Sequence, residues 1–463
     1  MKSLIYTLKI LTLFVFAIPL SSQTTYWVPV SGISDTSWVY SIHVKNNGTI
    51  FASTFYYYLF FNVYRSLDNG LTWHWNTFLP AYSIASTDDG KIFLGGDNKG
   101  PIPETKLGIS TNNGDSWNIS YHIPAGIINS ILPISSSTIL FSTYSSIYKN
   151  TDDSWHEFER APDTAHSRVL ARDSNGTIFA GTKNKGIYMS IDEGTNWWSI
   201  PTVNIGCNNV KDISIIGSQY YFACTETSGV FRSTDEGWTW EPCDSGLTNR
   251  NTNSVTYSSD SVIYLGTNQG VFRSTNFGVS WTDFSRGLPP GTYITRVTSS
   301  PSGALYAGTV NKGLYKTQQL PKYFKGWNLV SLPFTVPDQN ITALFPTASS
   351  HAFMYDTSYI EKSELTKGHG YWIKFDSTTP AVYTGSQISE DTINIKKGWN
   401  LIGSIATPVP VDSLVHTPSE MNLSGFYQFQ PGIGYSPTVT LSPGYGYWVK
   451  SDIDGQVIIS SKF

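Results

Sequence analysis

The segment Ser66-Leu-Asp68-Asn-Gly70-Leu-Thr72-Trp73 contains a pattern, Ser-x-Asp-x-Gly-x-Thr-Trp, that recurs through the first part of the chain. A second clear copy is Ser233-Thr-Asp235-Glu-Gly237-Trp-Thr239-Trp240. Three further copies keep the spacing, with Asp192, Asn112 or Asn276 at the aspartate position: Ser190–Trp197, Ser110–Trp117 and Ser274–Trp281. A shortened copy runs from Asn150 through Asp152 to Trp155.

The spacing of these copies indicates the fold class. Successive intervals are 44, 38, 42, 43 and 41 residues for the tryptophans Trp73, Trp117, Trp155, Trp197, Trp240 and Trp281. A period of about 42 residues in a chain rich in β-branched and aromatic residues is typical of β-propeller blades. The sequence therefore predicts an all-β protein whose first domain is a propeller.

A second repeated element gives the number of blades. It is an apolar strand that ends in a small residue, and it occurs at Thr49–Ser53, Lys91–Gly95, Thr138–Ser142, Thr177–Gly181, Tyr220–Cys224, Val262–Gly266 and Ala304–Gly308. The seventh unit stops near Thr317 without its outer strand, and Thr25–Val28 supplies a strand in phase with the others. Pairing the two ends in one blade closes the ring and removes exposed edges. We expect a seven-bladed propeller over residues 24–320.

The recurring turn resembles the Asp box, also called the BNR repeat. Propellers of this kind include sialidases, sortilin-type receptors, xyloglucanases and photosystem II assembly factors. The resemblance covers about residues 24–320. It implies the fold and leaves the function open, because these families share the turn and differ in chemistry.

The repeated residues are expected to be structural. Asp or Asn in a tight turn accepts hydrogen bonds from following backbone N–H groups, and Gly adopts positive φ. The tryptophan then covers the hairpin and seals the blade. Residues that serve a turn recur in every blade, whereas residues that perform chemistry break the repeat. The arginines before the turn, Arg65, Arg232 and Arg273, are expected to pack on strand surfaces.

Candidate binding residues are sought where the repeat is broken. Aligning the innermost strands places seven residues at one equivalent position: Ser41, Ser83, Ser130, Arg168, Asp212, Ser254 and Arg296. Since innermost strands surround the channel, we predict that Arg168, Arg296 and Asp212 contact an anionic or glycan ligand at one mouth, with Arg250 in a connection nearby. The alternative is that these arginines are solvated and paired with carboxylates.

An enzymatic function is the second hypothesis. Sialidase chemistry requires three arginines that bind a carboxylate, and a tyrosine activated by a glutamate. Arg168, Arg250 and Arg296 could form such a triad near Tyr293, but the Phe/Tyr-Arg-Ile-Pro motif of sialidases is missing from the sequence. No nucleophile elbow, phosphate loop or metal-binding His cluster is found either. We therefore expect a binding or assembly module without metal or cofactor, rather than a glycoside hydrolase.

A different duplication follows over residues 321–463. Lys325-Gly-Trp327-Asn recurs as Lys397-Gly-Trp399-Asn, and Gly370-Tyr-Trp372 recurs as Gly446-Tyr-Trp448. Two β-rich halves predict a small duplicated sandwich or barrel. It resembles accessory domains at the C-termini of secreted proteins of Bacteroidetes-like bacteria. We expect each tryptophan to anchor the core of its half; a carbohydrate-stacking platform is the alternative.

The composition and the N-terminal residues limit where the protein is expected to be located and which partners it is expected to bind. Charged residues make up 14% of the chain and the net charge is −4, which disfavours nucleic acid as a partner. Residues 1–23 resemble a secretory signal peptide, since the apolar run Ile10–Leu20 is too short to span a bilayer. We expect an exported monomer that binds a protein or glycan at the cell envelope or outside the cell. One disulfide, Cys207 to Cys243, is an option; buried free thiols are the favoured alternative.

Overall fold

The chain's structure is a computed structural model that describes residues 25–56, 60–98, 104–120, 126–150, 158–160, 166–201, 206–217, 219–258, 261–319, 321–381 and 386–461. The predicted signal segment and the shortened turn with Asp152 and Trp155 lie outside these ranges. No helix within them is long and apolar enough to cross a membrane.

The N-terminal part of the described chain forms seven four-stranded antiparallel sheets, here numbered sheets 1 to 7. Sheet 1 contains β2 (Trp38–Val44), β3 (Ile50–Tyr56), β4 (Phe60–Ser66) and β5 (His74–Thr77). Sheet 2 contains β6 (Ser83–Ser86), β7 (Ile92–Asn98), β8 (Glu104–Ser110) and β9 (Asn118–Ser120). Sheet 3 contains β10 (Ser130–Pro133), β11 (Ile139–Ser142), β12 (Ile147–Asn150) and β13 (Phe158–Arg160).

The next sheets repeat the same meander. Sheet 4 contains β14 (Ser167–Arg172), β15 (Ile178–Thr182), β16 (Ile187–Ser190) and β17 (Trp198–Ser199). Sheet 5 contains β18 (Val210–Ile216), β19 (Tyr220–Thr225), β20 (Val230–Ser233) and β21 (Glu241–Pro242). Sheet 6 contains β22 (Thr252–Tyr257), β23 (Ile263–Thr267), β24 (Gly270–Ser274) and β25 (Thr282–Asp283). Sheet 7 contains β26 (Ile294–Ser299), β27 (Leu305–Thr309), β28 (Leu314–Gln319) and β1 (Thr25–Pro29).

The seven sheets form a closed ring. Each innermost strand contacts the innermost strand of the next sheet, and β26 of sheet 7 contacts β2 of sheet 1. In sheet 7 the outermost strand is β1, which pairs antiparallel with β28 from Thr25↔Gln319 to Pro29↔Tyr315. The two ends of the repeat array therefore meet in one sheet, as the sequence predicts.

The five described copies of the repeated turn share one hydrogen-bond pattern. In the first, Asp68 accepts bonds from the Ser66 hydroxyl, the Thr72 backbone N–H at 2.9 Å and the Thr72 hydroxyl at 2.6 Å. The Gly70 N–H donates to Ser66 Oγ at 2.8 Å. The bonds from the serine hydroxyl and from the backbone N–H recur around Asp192, Asp235, Asn112 and Asn276. In the two asparagine copies the side-chain amide instead donates to the hydroxyl of Ser116 or Ser280.

The glycine of each turn joins one sheet to the next. Gly237 of sheet 5 has φ +86°, and a Cβ at this position would lie 2.4 Å from the Phe179 ring of sheet 4. Four other turn glycines press in the same way on a side chain of the preceding sheet: Gly70 on Tyr306, Gly114 on Phe51, Gly194 on Leu140 and Gly278 on Phe222. Glycine is required there both by its positive φ and by this approach.

The basic residue that precedes the turn has a different role from the one expected. Arg65 Nη1 donates to the carbonyl of Asn113 at 2.6 Å, and Arg232 Nη1 donates to the carbonyl of Phe277 at 2.8 Å. Both carbonyls belong to the turn of the following sheet. Arg273 has no such turn to reach, because sheet 7 lacks one, and it lies over the Phe284 ring.

The three cysteines, Cys207, Cys224 and Cys243, are free and buried. The optional disulfide between Cys207 and Cys243 is thus wrong, and the alternative of buried apolar thiols is correct. Burial raises the pKa of Cys207 and of Cys243 to about 12.

The C-terminal region consists of two similar halves. The first contains β29 (Lys322–Tyr323), β30 (Gly326–Ser331), β31 (Phe334–Thr335), α1 (Ile341–Leu344), β32 (Ala352–Asp356), β33 (Ser358–Lys362), β34 (Gly370–Phe375), β35 (Thr379–Pro380) and β36 (Ser386–Gln387). The second contains β37 (Glu390–Ile395), β38 (Gly398–Ile402), β39 (Val409–Pro410), a 3₁₀ turn (Val411–Ser413), β40 (Val415–Thr417), β41 (Phe426–Gln430), β42 (Gly434–Thr438), β43 (Thr440–Leu441), β44 (Tyr447–Ser451) and β45 (Gly455–Ser460).

The main sheets of the two halves have the same topology, in the orders β30-β34-β32-β33 and β38-β44-β41-β42. They meet where the Ser331 and Ser404 hydroxyls share a hydrogen bond of 2.9 Å. The prediction that tryptophan anchors each core is wrong for the Gly-Trp-Asn motif, because Trp327 is 41% and Trp399 47% exposed. The buried anchors are instead Tyr371 and Tyr447 of the Gly-Tyr-Trp motif, since their rings fill the cores while their hydroxyls accept local backbone N–H groups.

We predict that the turn glycines tolerate alanine much less well than other glycines with positive φ. Gly237→Ala should lower the free energy of unfolding by about 2–4 kcal/mol, because left-handed backbone strain is combined with overpacking against Phe179. The matched control is Gly90→Ala, where φ is +95° and no atom lies within 4 Å of the added Cβ. Urea unfolding of both variants measures the difference. Equal losses would contradict the proposed role of the close approach.

Candidate functional site

The centre of the ring is a channel lined by the innermost strands of all seven sheets. Its cavity has a volume of about 330 Å³ and is lined mainly by backbone and polar side chains. We call the end at which the innermost strands begin the mouth. Three of the four predicted site residues, Arg168, Asp212 and Arg296, line this channel.

The serines at the predicted equivalent position tie neighbouring innermost strands together. Ser83 Oγ accepts the Ile131 N–H at 3.0 Å, and Ser130 Oγ accepts the Leu170 N–H at 3.1 Å. Ser254 Oγ does the same for Val297 N–H at 3.1 Å. The recurrence of serine therefore has a structural cause.

Asp212 uses its carboxylate for the same contact and for one more. Its Oδ2 accepts the Val255 N–H at 2.9 Å, and its Oδ1 lies 3.0 Å from Arg296 Nη1. The Asp212 side chain is only 4% exposed, whereas that of Arg296 is 40% exposed. Asp212 is thus a buried support that holds Arg296 in the channel wall.

The strand register shows that Arg168 is not equivalent to Arg296. Ser254 pairs with Gly266 and Arg296 with Gly308, but in sheet 4 the residue paired with the corresponding Gly181 is Val169. Arg168 occupies a β-bulge one residue earlier, as do Tyr40, Lys211, Asn253 and Thr295 in their sheets. A bulge adds a residue and redirects its side chain, and an alignment of apolar residues does not detect it. The predicted alignment is therefore wrong by one residue in sheet 4.

Two of these bulge residues, Arg168 and Lys211, form the polar side of the mouth together with Glu226. Arg168 Nη1 lies 3.2 Å from Glu226 Oε2, and Asn209 also donates to that carboxylate. Burial alone would raise the pKa of Glu226, but the charges of Lys211 and Arg168 hold it below its usual value. Burial lowers the pKa of Lys211, and Glu226 opposes this. The group carries two cations and one anion.

Tyr293 adjoins this cluster. Burial raises its pKa, the negative charge of Glu226 raises it further, and Arg168 opposes both effects. The tyrosine, the glutamate and one arginine of the sialidase hypothesis are thus close together, although the raised pKa keeps Tyr293 protonated.

The opposite side of the mouth is aromatic. Tyr40 and Tyr82 line the channel, with ring centroids 4.9 Å apart in an edge-to-face arrangement. Phe61 lies 5.2 Å from Tyr82, and Phe55 lies 4.6 Å from Phe61. Four residues of the mouth were not predicted from the sequence: Tyr40, Tyr82, Lys211 and Glu226. The first three share one signal, since each is a large polar residue directly before the small or acidic residue of the innermost strand.

Arg250 lies apart from the channel lining. Its side chain is 68% exposed and pairs with Asp244 at 2.8 Å. The three arginines considered for a sialidase triad, Arg168, Arg250 and Arg296, each pair with a different carboxylate. Only two of them line the channel within the described residues.

Solved structures with a similar fold support this architecture. A structure of YCF48 bound to D1 peptide matches with a TM-score of 0.51 and 13% identity, over 64% of this chain and 96% of that chain. A virginiamycin B lyase from Staphylococcus aureus matches with a TM-score of 0.51 and 13% identity, over 64% and 100%. The extracellular domain of a one-component system from B. thetaiotaomicron matches with a TM-score of 0.50 and 13% identity, over 71% and 43%.

The fold is a β-propeller. At these identities the similarity shows the architecture of the chain and carries no activity with it. No protein-family model matches the chain, and no curated protein sequence matches it.

A histidine in the channel wall makes the propeller sensitive to acid. Burial, with the charges of Lys45 and Arg296, lowers the pKa of His43 to about 4, and its Nε2 shares a 2.8 Å hydrogen bond with Ser86 Oγ. The pKa of this histidine in the unfolded chain is about 6.5. At pH values between that value and the lower pKa of the folded protein, the unfolded chain binds one proton more than the folded protein does. Stability is therefore lost as the pH falls through this window.

We predict that His43→Gln loses less stability than the parent chain between pH 7 and pH 4.5. The glutamine amide can still bond to Ser86, and it binds no proton. The difference should approach about 2–3 kcal/mol in the free energy of unfolding. Thermal unfolding at both pH values measures it, and identical pH profiles would exclude His43 as the cause.

Proposed function

We propose that the chain is a non-catalytic binding or assembly module that recognises a protein segment or a glycan at the propeller mouth. The supporting observation is the divided mouth, with Tyr40, Tyr82 and Phe61 on one side and the Arg168–Glu226–Lys211 group on the other. Rings and paired charges on a rigid scaffold are the groups that dominate recognition.

Between the two ligand classes, the mouth favours a protein segment. Its charged group contains both signs, which suits a polypeptide whose side chains carry both signs or whose backbone offers N–H and C=O groups. Its aromatic side suits an apolar side chain. A purely anionic glycan would face the Glu226 carboxylate as well as the two cations. The peptide in the YCF48 structure gives a precedent for the fold.

We also propose specific assignments for individual parts of the chain. We propose that the recurring turns are Asp boxes, that the seven sheets are the blades of an Asp-box propeller over residues 24–320, and that residues 321–463 form an accessory domain. We also propose that residues 1–23 direct export, so that the ligand is met at the cell surface or outside the cell. The glycan remains within the proposal, with the protein segment as the favoured ligand.

We predict that mouth variants bind less well. Arg168→Ala and Tyr82→Ala should each weaken binding about tenfold or more to the best ligand found on a peptide array and a glycan array. Arg172→Ala is the matched control, because this exposed arginine ends the same strand as Arg168 and donates to Ile134 O. Biolayer interferometry gives the affinities. Unchanged binding by both mouth variants would place the ligand elsewhere.

The proximity of Tyr293, Glu226 and Arg168 keeps a sialidase-like glycoside hydrolase as the second candidate. We expect no turnover of a fluorogenic sialoside or of β-glucans, because burial and Glu226 raise the pKa of Tyr293, which opposes its use as a nucleophile, and Arg250 does not reach the channel lining. Turnover that disappears in Tyr293→Phe and Glu226→Gln would instead establish the enzyme.

A further inference from the structure

The C-terminal halves carry two aromatic clefts that correspond residue by residue. Cleft A is lined by Trp327, Phe353, Tyr359, Trp372 and Phe429, and has a volume of about 510 Å³. Cleft B is lined by Trp399, Tyr427, Tyr435, Trp448 and Tyr355, and has a volume of about 360 Å³. In each cleft four rings come from one half and the fifth from the other half. The domain therefore has two related sites that neither half could form alone.

The geometry of the rings is also duplicated. The Trp327–Trp372 centroids are 6.4 Å apart at 86°, and the equivalent Trp399–Trp448 centroids are 6.2 Å apart at 88°. The ring from the other half repeats as well: Trp372–Phe429 is 4.8 Å at 71°, and Trp448–Tyr355 is 4.9 Å at 69°. Ring identity differs between Phe429 and Tyr355, yet the arrangement is the same.

These rings are more exposed than a structural role requires. Trp327 and Trp399 are 41% and 47% exposed, and Tyr359 and Tyr435 are 56% and 55% exposed. The cores of the halves are filled by other side chains, among them Tyr371 and Tyr447. A contiguous exposed aromatic surface of this kind marks an interaction site.

The neighbours of the clefts decide which ligand chemistry fits. Lys374 stands directly opposite Trp327 in the strand register, and Lys450 directly opposite Trp399, so both lysines share the face of the rings. Each cleft has one lysine on its ring face, which disfavours the quaternary ammonium groups that aromatic cages otherwise bind, although Glu361 stands opposite Phe353 beside cleft A. The lysines provide hydrogen-bond donors at the edge of each cleft.

The walls are mostly apolar, and their polar groups are the indole N–H groups and the hydroxyls of Tyr359 in cleft A and of Tyr355, Tyr427 and Tyr435 in cleft B. The indole N–H of Trp448 is buried and makes no hydrogen bond of normal geometry within the described residues. This N–H lies near the Tyr435 hydroxyl, where it lowers the pKa of that hydroxyl and so opposes the raising effect of burial. A peptide backbone in such a cleft would leave N–H and C=O groups unpaired, which is costly. A sugar ring can stack its C–H face on an indole and keep its hydroxyls at the rim.

We propose that clefts A and B bind pyranose rings of a polysaccharide, with Trp327 and Trp399 as stacking surfaces and Lys374 and Lys450 as hydroxyl-binding groups. Duplication favours a ligand that itself repeats, because two equivalent sites on one rigid domain can hold two units of one polymer. The clefts adjoin across the domain, since the Trp372 and Tyr435 rings lie 6.4 Å apart. This site is independent of the propeller mouth.

The test uses the full chain in affinity gel electrophoresis with soluble β-glucan, xylan, mannan and pectin. We expect at least one polysaccharide to retard the parent protein. Trp327→Ala and Trp399→Ala should each weaken binding about tenfold, and the double variant should lose retardation. Trp327→Tyr should retain most binding, since a ring is kept. The matched control is Trp238→Ala, a 61% exposed tryptophan of the propeller, which should behave as the parent does.

Two outcomes would overturn the proposal: no retardation by any of the four polysaccharides, or full retardation of the double variant. A proline-rich peptide and choline are titrated in parallel by tryptophan fluorescence. Binding of either that is lost in the double variant would replace the sugar with that ligand class. Near-UV circular dichroism of each variant verifies that the fold is intact. Retardation that is lost in Arg168→Ala but kept in the double variant would place the polysaccharide at the propeller mouth instead.

Discussion

The pairing of β1 with β28 is the contact on which the rest of the molecule depends. Successive side chains of a strand point to opposite faces, and β1 uses both. Trp27 is fully buried against sheets 6 and 7, and its indole N–H donates to Phe284 O at 2.7 Å. Tyr26 and Val28 point the other way, into the core of the first C-terminal half. Because one strand serves both purposes, closing the ring also attaches the C-terminal region, and Tyr26 fixes this attachment by donating to Ala406 O.

Much of the fold could be predicted from the sequence because its repeats are local. The turn around Asp68 closes its hydrogen bonds within seven residues, so the same letters give the same geometry wherever they occur. The pairing of Thr25–Pro29 with the last unit follows from the phase of Trp27 and from the missing outer strand. The duplication of Gly-Trp-Asn and Gly-Tyr-Trp likewise gives the two C-terminal halves.

The site was less predictable, for reasons that particular residues make clear. Arg168 and Arg296 were aligned by the apolar residues around them, but Arg168 is the bulged residue of its strand, whereas Arg296 follows the bulge at Thr295. Glu226 reaches Arg168 from a connection 58 residues away, and no local pattern reports such a contact. The exposure of Trp327 could not be read from its motif, because both motifs contain an aromatic residue and only the fold decides that Tyr371 takes the core.

Two adjacent positions of the innermost strands support the ring and shape the mouth. Ser83, Ser130 and Ser254 bond innermost strand to innermost strand, while Tyr82 and Asn129, one position earlier, line the channel. Asp212 makes the same bond with its carboxylate, whereas Val169 and Arg296 occupy this position with side chains that have no acceptor. The earlier position also contributes bonds between innermost strands, since Asn129 donates to Ser167 O and Asn253 donates to Ile294 O.

The buried thiols have a consequence for how the propeller can be observed. Cys207 lies in the cluster between sheets 4 and 5, and Cys224 and Cys243 lie between sheets 5 and 6. A thiol reacts as the thiolate, and only when a reagent can reach it. Each of the three thiols is therefore unreactive while the two sheets around it remain packed together. The rate at which each thiol is labelled would therefore report how fast the adjacent sheets separate. The three native cysteines would report this at two neighbouring sheet interfaces of the unaltered chain.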